Sequence, residues 1–381
     1  MEFGWTADQI ALRESVIGFA RRSLKDDVVL RDKDGVFARE LWDRCGEFGI
    51  QGLPFPEEFG GGGRDVLSAV HAMEALGYAC GDSGLLFALA AQMWSVQMPI
   101  FRFGSEEQKR RYLPRLCAGE WIGAHGMTEP DSGSDAFGLR TRAERRGDEY
   151  VLNGTKTFVS EAPVADVFVV FATIDPSKGP LGITGFLVER SAPGLRVGRA
   201  IHKMGLRTSP MAELVLDDCR VPAAQRLGRE GRGAQVFNDS MEWERACILA
   251  SAVGAMERQL EATLAYARER RQFDRPIAEF QAVQHRLADM KVRLEAARLL
   301  LYRAAWAKQC DRDPGPAAAT AKLAVSEAWV QSGLQAVQIR GGYGYTEEYE
   351  AERDLRDAVG SMLFSGTSDV QRNLIARSLG L

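Results

Sequence analysis

"EYVLNGTKTFVS", residues Glu149–Ser160, decides what kind of fold this chain can adopt. The stretch is rich in β-branched and aromatic residues, which favour strands. Its Asn153-Gly154 pair is a two-residue hairpin signal, because both positions tolerate positive φ. The same texture continues through "ADVFVVFATI", "GITGFLVER", "LRVGRAI" and "AELVLDDCRVP", so residues 120–227 read as a β domain. On either side the spacing is helical. From Thr6 to Gly119 apolar residues recur at steps of three and four between breakers such as "PFPEEFGGGGRD". After Gly228 that spacing returns. Val283, Leu287, Met290 and Leu294 share one face of a long helix predicted over 279–309, and a second is predicted over 317–340, stopped by Gly341-Gly342. The chain is therefore expected to be mainly α with an inserted β domain: helical over 1–119, β over 120–227, helical over 228–381.

With 381 residues the chain exceeds what one core usually serves, and its 45% apolar, 26% charged composition is that of an ordinary globular protein. The net charge of -4 and the short, acid-interrupted basic runs at Lys109–Arg111 and Arg268–Arg271 exclude a nucleic-acid surface. Gln92, Ser95, Gln97 and Pro99 interrupt the apolar run Leu85–Phe101, so a buried helix is expected there and no membrane span. Six scattered cysteines have no metal or redox spacing, and the reading is reduced thiols and no metal site. "MEFGWTADQIALRES" lacks a basic region followed by an apolar run, so a cytoplasmic location is expected. Gly60–Gly63 lacks the Gly-Lys-Ser/Thr ending of a phosphate loop and reads as a surface turn.

Five polar segments, four of them glycine-bearing, are candidates for chemistry. "GAHGMTEPDSGSD" (Gly123–Asp135) offers the hydroxyls of Thr128, Ser132 and Ser134 and glycines for close approach, which suits a cofactor as well as a plain loop. Phe158 and Ser160 fall on one face of their strand, where an aromatic and a hydroxyl can cover and bond a flat heterocycle. "RERRQFDRPIAEFQAVQ" (Arg268–Gln284) carries Arg270 and Gln272, a phosphate-gripping pair or a surface ion-pair cluster. The paired glycines of "QIRGGYGYTEEY" (Gln338–Tyr349) admit a ligand, or cap a helix. "LFSGTSDVQR" (Leu363–Arg372) is a helix entrance whose amides suit a polar cofactor edge, with Asp369 its one strong proton acceptor.

In this order and spacing the segments resemble the acyl-CoA dehydrogenase family of flavoenzymes. The likeness runs from "EFGIQGLPFPEEFGGGG" through "GSEEQKRRYLPRLCAGEWIGAHGMTEPDSGSD" to "GGYGYTEEYEAERDLRDA" and "FSGTSDVQR". The resemblance implies an N-terminal helical domain, a middle β-barrel-like domain and a C-terminal four-helix bundle, assembled as a homotetramer. FAD would lie between the middle and C-terminal domains and reach the neighbouring subunit. Thr128 and Ser160 would then bond the flavin ring, Phe158 would cover it, and Ser134 would lie on the phosphate side. Arg270, Gln272, Gln338, Gly342, Thr367 and Asp369 would hold the adenosine and pyrophosphate arm, and Met127, Phe273, Gln281 and Gly341 complete the expected set.

Many family members place the catalytic glutamate directly before the Gly-Thr of the last turn, where this chain has Ser365. The branch that resembles isovaleryl-CoA dehydrogenase keeps it on the first helix of the C-terminal domain, and "NDSMEWERACILASAVG" puts Glu244 there. Met241 and Ile248 leave Glu244 beside an apolar stripe, where burial raises a carboxyl pKa toward working pH, while Glu242 points elsewhere; solvated helix charges are the alternative. The Ser365 backbone N–H, with Arg245 nearby, is expected to serve the substrate oxygen. "SMEWERACILA", "KTFVSEAPVADVFVVFAT" and "FSGTSDVQ" look most like prolyl-carrier-protein dehydrogenases of natural-product pathways. That likeness implies oxidation of an L-prolyl thioester on an acyl or peptidyl carrier protein to pyrrole-2-carboxyl, with oxygen or an electron-transfer flavoprotein as acceptor. A short branched-chain acyl-CoA dehydrogenase and a non-catalytic binding protein of the same fold are the alternatives.

Overall fold

The computed structural model describes residues 4–25, 27–310, 312 and 314–381. Seven helices come first: α1 (Ala7–Ser23), α2 (Val28–Asp34), α3 (Arg39–Phe48), α4 (Val66–Ala79), α5 (Ser83–Ala91), α6 (Met98–Phe103) and α7 (Glu106–Cys117). Capping boxes start α1 at Thr6/Gln9 and α7 at Ser105/Gln108. Between α5 and α6 the helix does not end but widens into a π turn, Gln92–Gln97. The run Ser83–Phe103 has the length and apolarity of a membrane helix, yet 89% of its most apolar window is buried in protein.

Eight strands follow: β1 (Gly123–Gly126), β2 (Arg142–Arg146), β3 (Glu149–Ser160), β4 (Val167–Thr173), β5 (Ile183–Glu189), β6 (Leu195–Ala200), β7 (Met211–Pro222) and β8 (Arg226–Leu227). They form one sheet in the order β6-β7-β3-β2-β4-β5-β8, with β1 parallel to β4. Then come α8 (Gly233–Cys247), α9 (Ala250–Glu269), the two-residue strands β9 (Arg271–Gln272) and β10 (Arg275–Pro276), α10 (Gln281–Gln309), α11 (Gly315–Arg340), α12 (Glu350–Ser361) and α13 (Ser368–Ser378). The helical, β, helical order is the one the sequence texture predicts.

β4 is buried along its whole length and divides two cores by its period of two. Phe168, Val170 and Ala172 join the large core shared with α4, α5, α8, α9 and α11; Val167, Val169 and Phe171 face a second core with Tyr112, Leu113 and Leu116 of α7. The first helical domain is locked to the bundle where α4 crosses α9. A methyl group on Gly77 would stand 1.9 Å from the Ser251 carbonyl oxygen, and one on Gly254 would stand 1.9 Å from that of Glu74. Only glycine permits so close a crossing. Arg258 seals it by donating to the Gly77 carbonyl at 2.7 Å.

One local expectation is overturned. Asn153-Gly154 makes no hairpin: β3 runs on through it, pairing with β7, and the register shifts by a bulge between Leu152 and Gly154. Asn153 spends its amide on Asp218, donating to Oδ1 at 3.1 Å and accepting from the Asp218 N–H at 2.8 Å. Long-range pairing thus overrides the local turn signal. Gly60–Gly63 is the surface turn expected: the N–H groups of Gly61, Gly62 and Gly63 are given to the carbonyls of Pro56, Gly52 and Phe55. All six cysteines are free, five of them buried and Cys310 exposed.

Candidate active site

The inner face of α8 buries Val236, Ser240, Trp243, Glu244 and Cys247, the three- and four-residue steps of a helix packed on one side. Glu244 is only 7% exposed. Two hydroxyls bracket its carboxylate: Ser95 of the π turn donates to Oε2, and Ser365 donates to Oε1. Burial pushes the Glu244 pKa up, while the bonds from Ser365 and Ser95 and the charges of Arg245 and Lys322 pull it back. Glu242 faces elsewhere, accepting from Lys308 at 3.1 Å. Beside the carboxylate, Trp94 and Trp243 stack parallel with centroids 5.9 Å apart.

Ser365 and Gly366 sit in left-handed backbone, at φ 56° and 87°. For a non-glycine residue this conformation is uncommon and needs support. It comes from three side chains that reach the turn carbonyls. Arg245 Nε donates to the Ser365 oxygen at 3.0 Å, Gln371 Nε2 to the oxygens of Ser365 at 3.1 Å and Gly366 at 2.8 Å, and Lys322 Nζ to that of Gly366 at 2.7 Å. Burial and the adjacent Arg245 lower the Lys322 pKa from 10.5 to about 8.

A second group gathers where β1 runs into the glycine-rich loop. Fully buried Lys156 donates to the Met127 carbonyl at 3.2 Å and to Glu129 at 2.7 Å, and Glu129 accepts the Arg140 and Thr141 N–H groups at 2.6 and 3.0 Å. The loop is thus pinned to β3. Alternation on β3 fails at Lys156–Thr157, both buried, then resumes with Phe158 out, Val159 in and Ser160 half-buried. The bulge puts Phe158 at φ 55° with 60% of its surface exposed, and the Thr157 N–H bonds the Thr128 carbonyl at 2.9 Å. Thr128 and Phe158 are thereby brought side by side. Ser134 lies exposed on the same loop.

A third group forms at the far end of the bundle. Arg270 lies over the Tyr343 ring at 5.3 Å, just after Gly341 ends α11 at φ 60°. Gln272 precedes a two-residue loop in which Phe273 and Asp274 both take positive φ, and Phe273 is 87% exposed. Thr367 caps α13 by accepting the Val370 N–H at 3.3 Å. Gln281, Gln338, Gly342 and Asp369 are exposed on the single chain, and a methyl built on Gly342 would meet nothing within 4 Å. The structure thus joins Glu244, Arg245 and Ser365 directly, and brings Met127, Thr128 and Phe158 together. The remaining candidates stand on the surface, Ser160 and Thr367 half-buried and the others exposed.

Sequence reasoning missed Ser95, Lys322 and Gln371. The signal for Ser95 was its place in an apolar run, where it served only to argue against a membrane span. Lys322 was likewise the lone cation of "AAATAKLAVSEAW".

Comparison with known proteins accounts for nearly the whole chain. The acyl-CoA dehydrogenase N-terminal, middle and C-terminal domain models match residues 6–120, 124–219 and 231–380. L-prolyl-[peptidyl-carrier protein] dehydrogenase of Pseudomonas fluorescens is 50% identical over 347 residues, 91% of each chain, and that of a Serratia species is 42% identical over 100% of this chain and 99% of its own. The crystal structure of the prolyl acyl carrier protein oxidase AnaB superposes with a TM-score of 0.98 at 49% identity, covering 99% of this chain and 100% of that one. Butyryl-CoA dehydrogenase of Megasphaera elsdenii superposes at 0.96 with 39% identity, covering both chains in full. The chain belongs to the acyl-CoA dehydrogenase family.

Proposed function

We propose that this protein catalyses the FAD-dependent α,β-dehydrogenation of an L-prolyl thioester carried on a carrier protein, yielding the pyrrole-2-carboxyl thioester. Its similarity to two L-prolyl-[peptidyl-carrier protein] dehydrogenases and to AnaB supports the substrate. The observation that carries the chemistry is the buried carboxylate of Glu244, bracketed by Ser95 and Ser365. A carbon acid next to a thioester needs a strong, desolvated base, and no other buried carboxylate touches this turn among the described residues.

The residues present fit FAD. An aromatic held outward in strained backbone, Phe158, suits the face of a flat ring, and the hydroxyls of Thr128 and Ser160 suit its polar rim. The Ser368 Oγ and Gln371 Oε1 atoms are buried without a partner among the described residues, beside Thr367 and the start of α13. Arg270, Gln272 and Gln338 are exposed polar groups for the pyrophosphate and adenosine arm, and Gly341, Gly342, Gln281, Phe273 and Asp369 complete that surface. When bound, FAD supplies the two-electron acceptor that no side chain offers. Glu244 takes the α-proton, and the burial that raises its pKa makes its carboxylate a stronger base for that step. The Ser365 N–H is assigned to the developing charge on the thioester oxygen, with the turn held by Arg245. Pyrrole formation removes two hydrogen pairs, so two rounds are required.

The remaining parts of the reading are a tetrameric assembly, a cytoplasmic setting that accords with six free cysteines, and oxygen or an electron-transfer flavoprotein as final acceptor. Mass spectrometry of carrier-bound proline after incubation with the holoenzyme tests the substrate: a loss of about four mass units is expected. Preferential turnover of isovaleryl-CoA, with the prolyl thioester unchanged, would reject it.

A further inference from the structure

Lys322 lies about two turns into α11 with its side chain wholly buried. A buried ammonium is expensive unless something answers its charge. Among the described residues no carboxylate lies within ion-pair distance of Lys322. Its bond is to the Gly366 carbonyl, and the Phe364 ring stands 5.9 Å away. The charges facing it are Glu244 and Arg245 from α8 and Glu327 from its own helix. Glu327 is already engaged by Arg372 of α13, and Arg372 also meets Asp369. Behind Arg245, Glu242 is taken by Lys308 of α10. What remains around the turn is one carboxylate against two cations.

We propose that Lys322 is a positioning residue for the dehydrogenation: its ammonium pins the Gly366 carbonyl, holds the strained turn against α8, and sets a net positive enclosure around Glu244. A trans peptide carries its C=O and N–H on opposite sides, so drawing the Ser365 and Gly366 carbonyls onto Arg245, Gln371 and Lys322 fixes the two peptide planes that follow Ser365, and with them the turn on which the Ser365 N–H is carried. The positive surplus matters when the α-proton leaves, because negative charge then grows on the substrate while Glu244 loses its own. A neutral side chain of the same length would support the turn but not that charge.

The inference rests on Glu244 as the base, so Glu244→Gln is measured beside the Lys322 variants. The holoenzymes, with FAD bound, are mixed with prolyl-carrier thioester, and single-turnover flavin reduction is followed across pH. Lys322→Gln, which keeps a donor for the Gly366 carbonyl, is expected to retain FAD and an unchanged Kd for the thioester. Its limiting reduction rate should fall about tenfold, with the acid limb of the profile moved to alkaline pH by about one unit. Lys322→Met should lose more, and Lys322→Arg should restore the limb. An unmoved limb in Lys322→Gln, or a rate loss with no pH component, overturns the inference while leaving an inactive Glu244→Gln to uphold the base. If Lys322→Gln does not retain FAD, the Lys322→Arg profile decides, and a displaced limb there counts against the proposal. Flavin reduction that persists in Glu244→Gln rejects the underlying reading instead.

Discussion

Replacing Glu244 by glutamine is the most direct perturbation of this site. The amide has the size of the carboxylate, so the contacts of α8 with the π turn and the Ser365 turn are retained. Its oxygen can still accept from one of Ser95 or Ser365, while its NH2 meets the other hydroxyl as a donor to a lone pair. Burial already disfavours the ionised form of Glu244, so a neutral replacement should cost little stability. What disappears is the proton acceptor. A positioned general base contributes about 10²–10⁴-fold, or roughly 3–5 kcal/mol of barrier. Anaerobic stopped-flow mixing with the prolyl-carrier thioester reads this loss as slower bleaching of the flavin band, with bound FAD per chain measured on the same sample. Bleaching within about threefold of the parent rate, at full FAD content, would refute the base assignment and send the search to another group.

Ser95→Ala removes one hydroxyl bond to the ionised base, worth about 1.5–3 kcal/mol, and the rate at neutral pH should fall about tenfold and recover toward alkaline pH. A flat, unchanged pH profile would mean that Ser95 only fills space. Lys156→Met strands Glu129 in the protein and frees the Met127 carbonyl. A loss of about 3–5 kcal/mol by chemical denaturation and weaker retention of FAD on gel filtration are expected, and undiminished stability would contradict the role given to this pair. Glu161 is buried, bonded by Ser209, and its pKa is raised by burial from 4.5 to about 7. A carboxylate raised on folding stabilises the folded state below its unfolded pKa and loses that contribution as pH rises through the folded value. Glu161→Gln should therefore match the parent Tm near pH 4.5 and gain on it up to pH 7, by on the order of 3 kcal/mol; a difference that shrinks with pH would refute the sign.

Texture and periodicity were enough to separate two helical regions from a β region, because composition differs between surfaces buried at period two and at period 3.6. The choice of Glu244 came from the resemblance to the isovaleryl-CoA dehydrogenase branch, and periodicity added only that Met241 and Ile248 mark an apolar, buried face beside it. Where the sequence misled, the deciding force was not local. The strongest hairpin signal, Asn153-Gly154, runs through a strand because β7 pairs along its length. Two-residue loops lie instead at Gly147-Asp148, between β2 and β3, and at Phe273-Asp274, where Phe273 is a residue that no turn rule would nominate. Ser95 and Lys322 belong to apolar helices and acquire meaning only from α8 and the Ser365 turn, which lie 149 and 44 residues away along the chain at their bonded partners.

The π turn at Gln92–Gln97 has a consequence for how insertions and deletions would be tolerated here. Leu85, Leu86 and Leu89 before it point into the large core, whereas from the turn onward the rod serves both cores at once, Met93, Trp94 and Met98 in the large one and Val96 and Ile100 in the second, against the sheet. An α-helix advances about 100° per residue, so the extra residue of a π turn rotates everything that follows relative to what came before. Excising one residue from that turn would re-phase the rod as a uniform α-helix, swinging Val96 and Ile100 off the sheet and carrying Ser95 away from the carboxylate. The surplus residue is therefore the gear that lets one rod mesh with two cores.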